Sequence, residues 1–210
     1  IHANDAIGVR SRAQVLAALV EKYIQNDIES DWISLASGAA IPVLEALRTA
    51  KLDGQKVHLT LVDNDPVALR WAETMAAQEG LNVGDQLTLL NRHLLHQFIR
   101  NDDLLLELGE HQAELVDALG IFEYFNDADA VIFLQRALRL VKPGGAVIVS
   151  NMLTTSPQID FILRCIGWAP IFPRSLQQLQ DIHIAAGVPP ENVTVVVPKD
   201  GVYAVLEVRA

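Results

Sequence analysis

Two strand-like runs stand at the end of the chain. Val193-Thr194-Val195-Val196-Val197 and Val202-Tyr203-Ala204-Val205-Leu206-Glu207-Val208 are rich in β-branched residues and flank Pro198-Lys199-Asp200-Gly201. Asp-Gly between such runs predicts an antiparallel hairpin. Everything upstream alternates strand-like runs with helical periodicity, which predicts parallel strands joined by right-handed crossovers with helices on both faces. The expected fold is therefore a doubly wound α/β domain, a mostly parallel seven-stranded sheet that closes in a C-terminal antiparallel hairpin. Nicotinamide-binding sheets end in parallel strands instead.

The upstream elements read in order. An amphipathic helix is expected over about residues 10–25, with Leu16, Leu19, Val20, Tyr23 and Ile24 on one face. A strand at 32–36 runs into the small-residue turn Ser37-Gly38-Ala39-Ala40 and a helix around 43–47. A second strand, 57–62, precedes Asp65-Pro66, an N-cap followed by proline at the first helical position, and the helix stops at Gly80. A third strand is expected at 86–90, a fourth at 115–119, a helix at 127–141, and a buried strand at 146–150 after the breaker Lys142-Pro143-Gly144-Gly145. Helices at 157–167 and 175–186 complete the pattern, and 91–114 reads less clearly, as partly helical and partly loop.

With 210 residues and no linker-like stretch, the chain reads as one domain, 1–210. Lys and Arg number 16 against 26 Asp and Glu, a net charge of -10, which repels phosphate backbones and anionic lipid. Neither nucleic acid nor a membrane is an expected partner. The single cysteine, Cys165, excludes a disulfide framework and cysteine-rich metal sites, fits a reducing, cytoplasmic compartment and reads as buried packing. Its start, Ile1-His2-Ala3-Asn4-Asp5, does not read as a signal peptide. His93, His96, His111 and His183 form no ligand quartet, so no metal is expected.

Ligands of open parallel sheets sit beyond the carboxyl ends of the strands, where the winding reverses. The first strand-to-helix loop, Ala36-Ser37-Gly38-Ala39-Ala40, allows close backbone approach and opens a helix whose free N–H groups face outward. Past the second strand, Asp63 is placed to accept hydrogen bonds from ribose hydroxyls, with Asn64 beside it, because Asp65 is committed to the cap.

These features resemble the class I S-adenosylmethionine-dependent methyltransferases over nearly the whole chain. Ser34-Leu35-Ala36-Ser37-Gly38-Ala39-Ala40 aligns with that family's first motif, an acidic residue followed by Gly-x-Gly-x-Gly. Asp63 stands at its ribose position, Asp117-Ala118-Leu119-Gly120 at the end of its fourth strand, and Leu140-Val141-Lys142-Pro143-Gly144-Gly145 at the turn before its fifth. The resemblance implies S-adenosyl-L-methionine as cofactor, its methionine over Ala36, Ser37 and Gly38 and near Leu119 and Gly120. Adenine would then lie between the second and third strand ends, with Asn91 replacing the usual acid. Within the first helix, which in that family folds over the pocket, Arg10 or Arg12 would grip the cofactor carboxylate, and Arg12 is retained as the candidate. Glu123 and Tyr124 would face a small-molecule acceptor, and no catalytic residue is assigned because the sulfonium is already a good leaving group. The departures are Ser34 for the acid and Ala36 and Ala40 for two glycines; a methyl group is tolerated there where φ stays negative, although it hinders closer backbone approach. Two rival readings are a nicotinamide-dependent oxidoreductase, disfavoured by the missing Gly-x-Gly-x-x-Gly, and a non-enzymatic scaffold with a degenerate site.

Overall fold

The computed structural model describes residues 4–24, 29–49, 57–81, 83–166 and 170–210. The seven strands are β1 (Ser30–Leu35), β2 (Val57–Asp63), β3 (Leu87–Asn91), β4 (Ala113–Ala118), β5 (Val141–Met152), β6 (Val193–Val196) and β7 (Tyr203–Arg209). They form one sheet in the order β3-β2-β1-β4-β5-β7-β6. The first five pair in parallel, β5 with β7 and β7 with β6 antiparallel. The expected doubly wound sheet with its closing hairpin is the observed architecture. Chain order reverses between β1 and β4, so their carboxyl ends open the crevice in which such sheets hold ligands.

Both faces are covered because the strands bury residues on both. Trp32 points into a cluster with α1 (Asn4–Val20), α2 (Ile41–Thr49) and α3 (Pro66–Gln78), whereas Ile33 and Leu35 point into the opposite cluster. That second layer contains α4 (Asp103–Leu108), α5 (Asp127–Leu140) and α7 (Leu176–Ala185). At α3, Asp65 caps the helix by accepting from the Val67 N–H at 2.8 Å, with Pro66 at the first turn, as read from the sequence.

Several boundaries differ from the sequence reading for physical reasons. The first helix starts at Asn4 and ends at Val20, with a turn at 21–23. Its opening lacks an apolar stripe because it docks by close approach: a Cβ on Gly8 would meet Val202 at 2.6 Å. Segment 91–114 holds a π-helix, Leu95–Arg100, and α4, whose combined wide and short turns hide any single period while still burying Phe98, Ile99, Leu104 and Leu105. The helix expected at 157–167 is a short α6 (Ile159–Phe161) continued by a π-helix, Ile162–Ile166. In that segment Cys165 is exposed, not packed. Gln25 and Gly167, the expected ends of two helices, lie outside the described residues. β5 begins five residues earlier than its apolar run, at Val141, across a register shift against β4. Gly145 permits this, since a Cβ there would stand 2.4 Å from the Glu114 carbonyl oxygen. Among the described residues no helix is long and apolar enough to cross a membrane.

Candidate functional site

The loop after β1 is a tight, left-handed turn. Ala36, Gly38 and Ala40 have φ of 55°, 55° and 56°. The two alanines thus occupy glycine-like backbone, not the negative φ at which a methyl group is readily tolerated, at a cost of about 1 to 2 kcal/mol each. Neighbouring contacts impose the shape. Ser37 N–H donates to the Val62 carbonyl at 3.1 Å, Ala40 N–H to the Ser37 carbonyl at 2.9 Å, and Gly38 N–H to Asp63 Oδ2 at 2.8 Å. Asp63 Oδ1 accepts from the Asp65 N–H at 2.8 Å, so one carboxylate at the end of β2 holds both the first loop and the start of α3. Each of its oxygens takes a single bond in these contacts and retains a lone pair for a ligand.

A cleft of about 290 Å³ opens beside this loop, at the carboxyl ends of β1 to β4. It is bordered by Ala36, Asp63, Asn64, Arg92 and His93 on one side and by Ile121, Tyr124, Phe125, Asn126, Asp129 and Phe172 on the other, with Leu94 and Leu95 between. Of the residues singled out in the sequence, Ala36, Asp63, Asn64 and Tyr124 border it. Ser37 and Gly38 form the loop behind Ala36. Asn91 is exposed, and its Nδ2 donates to the Asp63 carbonyl at 3.0 Å, which fastens β3 to β2.

Arg12, Leu119, Gly120 and Glu123 assemble next to the cleft. Arg12 Nη1 is 3.5 Å from Glu123 Oε1 and 3.4 Å from Ser150 Oγ, and its guanidinium lies 4.4 Å from the Tyr203 ring centre. Gly120 faces the same guanidinium, since a Cβ there would meet Arg12 Nη2 at 3.5 Å. Leu119 is buried and its carbonyl accepts from the Ser150 hydroxyl. Arg10 is exposed. The first helix contributes no residue to the cleft border among the described residues.

The wall from Ile121 to Asn126 depends on a residue with no local sequence signal. Arg174 is 1% exposed and donates to Asn151 Oδ1 at 2.7 Å, Asp127 Oδ1 at 3.0 Å, and the carbonyls of Phe122 and Phe125 at 3.4 and 2.5 Å. Those carbonyls bracket the 3₁₀ turn Phe122–Tyr124, so one guanidinium fixes the backbone that presents Tyr124 and Phe125. Phe172 joins the wall through its N–H, which donates to the Glu123 carbonyl at 2.6 Å. Asn126 caps α5, its Oδ1 accepting from the Asp129 N–H at 3.0 Å.

Asp117, aligned with Ser34 across the β1–β4 ladder, is buried. Burial pushes its carboxyl up to about 7, opposed by hydrogen bonds from Trp32 Nε1 at 2.8 Å and Ser34 Oγ at 3.2 Å. Ser34, standing where the resembled family keeps an acid, therefore serves the sheet interior.

No family model and no curated protein sequence matches the chain. Solved structures do match. A possible exported protein from Bordetella parapertussis superposes with a TM-score of 0.72 at 19% identity over 98% of this chain and 69% of that one. A putative O-methyltransferase from Nostoc punctiforme gives 0.71 at 16% identity over 99% of this chain and 58% of that one. Magnesium protoporphyrin IX methyltransferase from Synechocystis, solved with bound S-adenosylhomocysteine, gives 0.66 at 14% identity over 99% and 86%. The chain spans little more than half the length of several such neighbours, 57%, 57% and 58% in three cases. Its fold is the class I methyltransferase fold.

Proposed function

We propose that the protein is an S-adenosyl-L-methionine-dependent methyltransferase that acts on a small molecule. The observation that carries this reading is the cleft at the ends of β1 to β4, where a left-handed loop is tied by its Gly38 N–H to Asp63. The residues fit such a cofactor. Asp63 is a carboxylate held by two backbone N–H groups, with lone pairs left for vicinal ribose hydroxyls. Asn64 borders the same end, and Asn91 braces Asp63 from β3. Ser37 and Gly38, with Leu119 and Gly120 across the crevice, offer the methionine portion backbone rather than bulk, and Arg12 brings a cation to Gly120. The volume, near the lower end of small-molecule sites (about 300 Å³), suits enclosure of the nucleoside end with the rest in the open crevice.

Bound there, the cofactor supplies a methyl group on a sulfonium, which needs alignment and exclusion of water more than proton transfer. Ile121, Tyr124, Phe125 and Phe172 make the facing wall largely apolar and aromatic, and an acceptor would approach along it, with Glu123 behind Tyr124. The surplus of acid over base, net -10, supports a small molecule over nucleic acid, and the lone cysteine supports a cytoplasmic setting.

Calorimetric titration with S-adenosylmethionine, S-adenosylhomocysteine and NAD tests the reading. Micromolar binding of the first two without the third is expected. Asp63→Ala should weaken S-adenosylhomocysteine binding by about 1.5 to 3 kcal/mol, the range for hydrogen bonds to a charged group. Unchanged affinity in the folded variant removes Asp63 from the site, and silence from both sulfur compounds overturns the reading.

A further inference from the structure

β6 is the outer strand of the sheet, and among the described residues only β7 forms a ladder with it. The run Val193-Thr194-Val195-Val196-Val197, whose first four residues are β6, contains no charge, proline or glycine. Sheet edges are ordinarily blunted by such residues or by a bulge, because their free N–H and C=O groups template further pairing. This one is left open. Val195 and Val197 are 44% and 42% exposed, so the edge also shows apolar side chains to solvent.

A second apolar surface lies beside it. A groove of about 550 Å³ runs between α1 and the hairpin, bordered by Ile7, Val15, Ala18 and Leu19 of the helix and by Val196 and Pro198. From Ala13 to Val20 the helix carries no charged residue, and its Ser11 hydroxyl donates to Asp200 Oδ2 in the hairpin turn at 2.5 Å. Helix and edge therefore form one fixed surface.

Charge decides which partner fits. Glu191 and Lys199 flank the run, both exposed and neither in an ion pair among the described residues. Arg209 steadies the Glu191 end by donating to the Glu191 carbonyl and, at 3.3 Å, to Thr194 Oγ1. When a strand pairs antiparallel with its own copy, the twofold axis sets one residue opposite itself and every other residue opposite the one equally far beyond the axis. Centred on Val195, this pairing puts Val193 against Val197 and Glu191 of each chain against Lys199 of the other. Centred on Thr194 or Val196, it would put Lys199 against Pro189 or Val193. The register at Val195 alone satisfies both charges.

We propose that β6 is a self-association surface, to which a second copy of this chain adds its own β6, antiparallel about a twofold axis at Val195. The two sheets then continue into one. An axis perpendicular to the sheet keeps both copies of α1 on the same face, so their grooves meet across the joined strands and add apolar area to a short ladder. The cleft at the ends of β1 to β4 stays open, with β5 and β7 between it and the joined edge.

Sedimentation equilibrium tests this on the wild type, Val195→Lys, Glu191→Lys, Lys199→Glu and the double variant Glu191→Lys/Lys199→Glu. The wild type should be a dimer at micromolar concentration. Val195→Lys sets two ammonium groups against each other at the axis and should raise the dissociation constant by about tenfold to a hundredfold. Each single reversal creates two like-charged pairs in the dimer and should raise it by about fivefold to thirtyfold. The double variant restores opposite charges in exchanged places and should return to within about threefold of the wild type. A wild type that stays monomeric up to about 100 μM, where even a weak specific dimer forms, overturns the proposal. A dimer that tolerates Val195→Lys, or single reversals that the double variant does not rescue, overturns it as well. If Val195→Lys does not fold, the reversals at the exposed Glu191 and Lys199 decide the question alone.

Discussion

The two walls of the cleft are built by different means. On the β1–β2 side, the loop at 36–40 is shaped by backbone hydrogen bonds to its immediate neighbour, with the Asp63 side chain tying Gly38 to the end of β2. On the β4–α5 side, the turn at 122–125 is shaped by a guanidinium that arrives from Arg174, about fifty positions later, and bonds to its carbonyls. The first wall survives changes of side chain as long as the backbone can be strained into place, as Ala36 and Ala40 demonstrate. The second is less tolerant, because the Phe125 carbonyl and the amide oxygen of Asn151 both accept from the Arg174 guanidinium, which reaches the Phe122 carbonyl as well.

Arg174→Met should therefore break the comparison open most strongly. It removes four hydrogen bonds from a residue 1% exposed and strands buried acceptors, for an expected loss of about 3 to 5 kcal/mol by chemical denaturation. A loss below about 1 kcal/mol would mean that the turn holds itself and that the two walls are alike.

Asp117 sits on the seam between the walls, bonded by Trp32 and Ser34 of β1. Its carboxyl rises from the usual 3.8 to about 7 on folding, so the folded state binds more protons between those values. Stability must then fall as pH rises from about 4 to about 7 and level off above, by as much as about 4 kcal/mol at about 1.4 for each tenfold change in proton affinity. Asp117→Asn should lack this slope and exceed the wild type in stability at pH 8 but not at pH 4.5, measured by urea denaturation across that range. Parallel pH profiles for the two proteins would show that Asp117 ionises freely in place.

The same contrast explains what could be read from the sequence. The hairpin, the parallel sheet and the Asp65-Pro66 cap were legible because each depends on residues adjacent in the chain. Asp63 was legible for the same reason, as the first polar residue past an apolar run. Arg174 was not, because its partners lie at Phe122, Phe125, Asp127 and Asn151, brought together only when β5 and the segment after α6 meet. Nor were Arg92 to Leu95, because the π-helix that begins at Leu95 denies the segment the regular period that would have marked its inward face. Arg12 and Glu123 were each noted for a ligand, and their 3.5 Å approach to one another belongs to tertiary contact that spacing cannot express.

Ala40→Gly gives a smaller and more discriminating result. Ala40 has φ of 56° and a fully buried side chain, so glycine would release the left-handed strain of about 1 to 2 kcal/mol while losing a buried methyl and adding freedom to the unfolded chain. These terms nearly cancel, and the expected change is within about 0.5 kcal/mol of zero. Ala77→Gly, on the exposed face of α3, has no strain to release and should cost up to about 1 kcal/mol. The comparison is made by denaturant titration of both variants beside the wild type. A loss at position 40 as large as that at position 77 would show that the first loop is not strained there, and that the alanines of this wall relax φ in solution instead of being held by Asp63 and the end of β2.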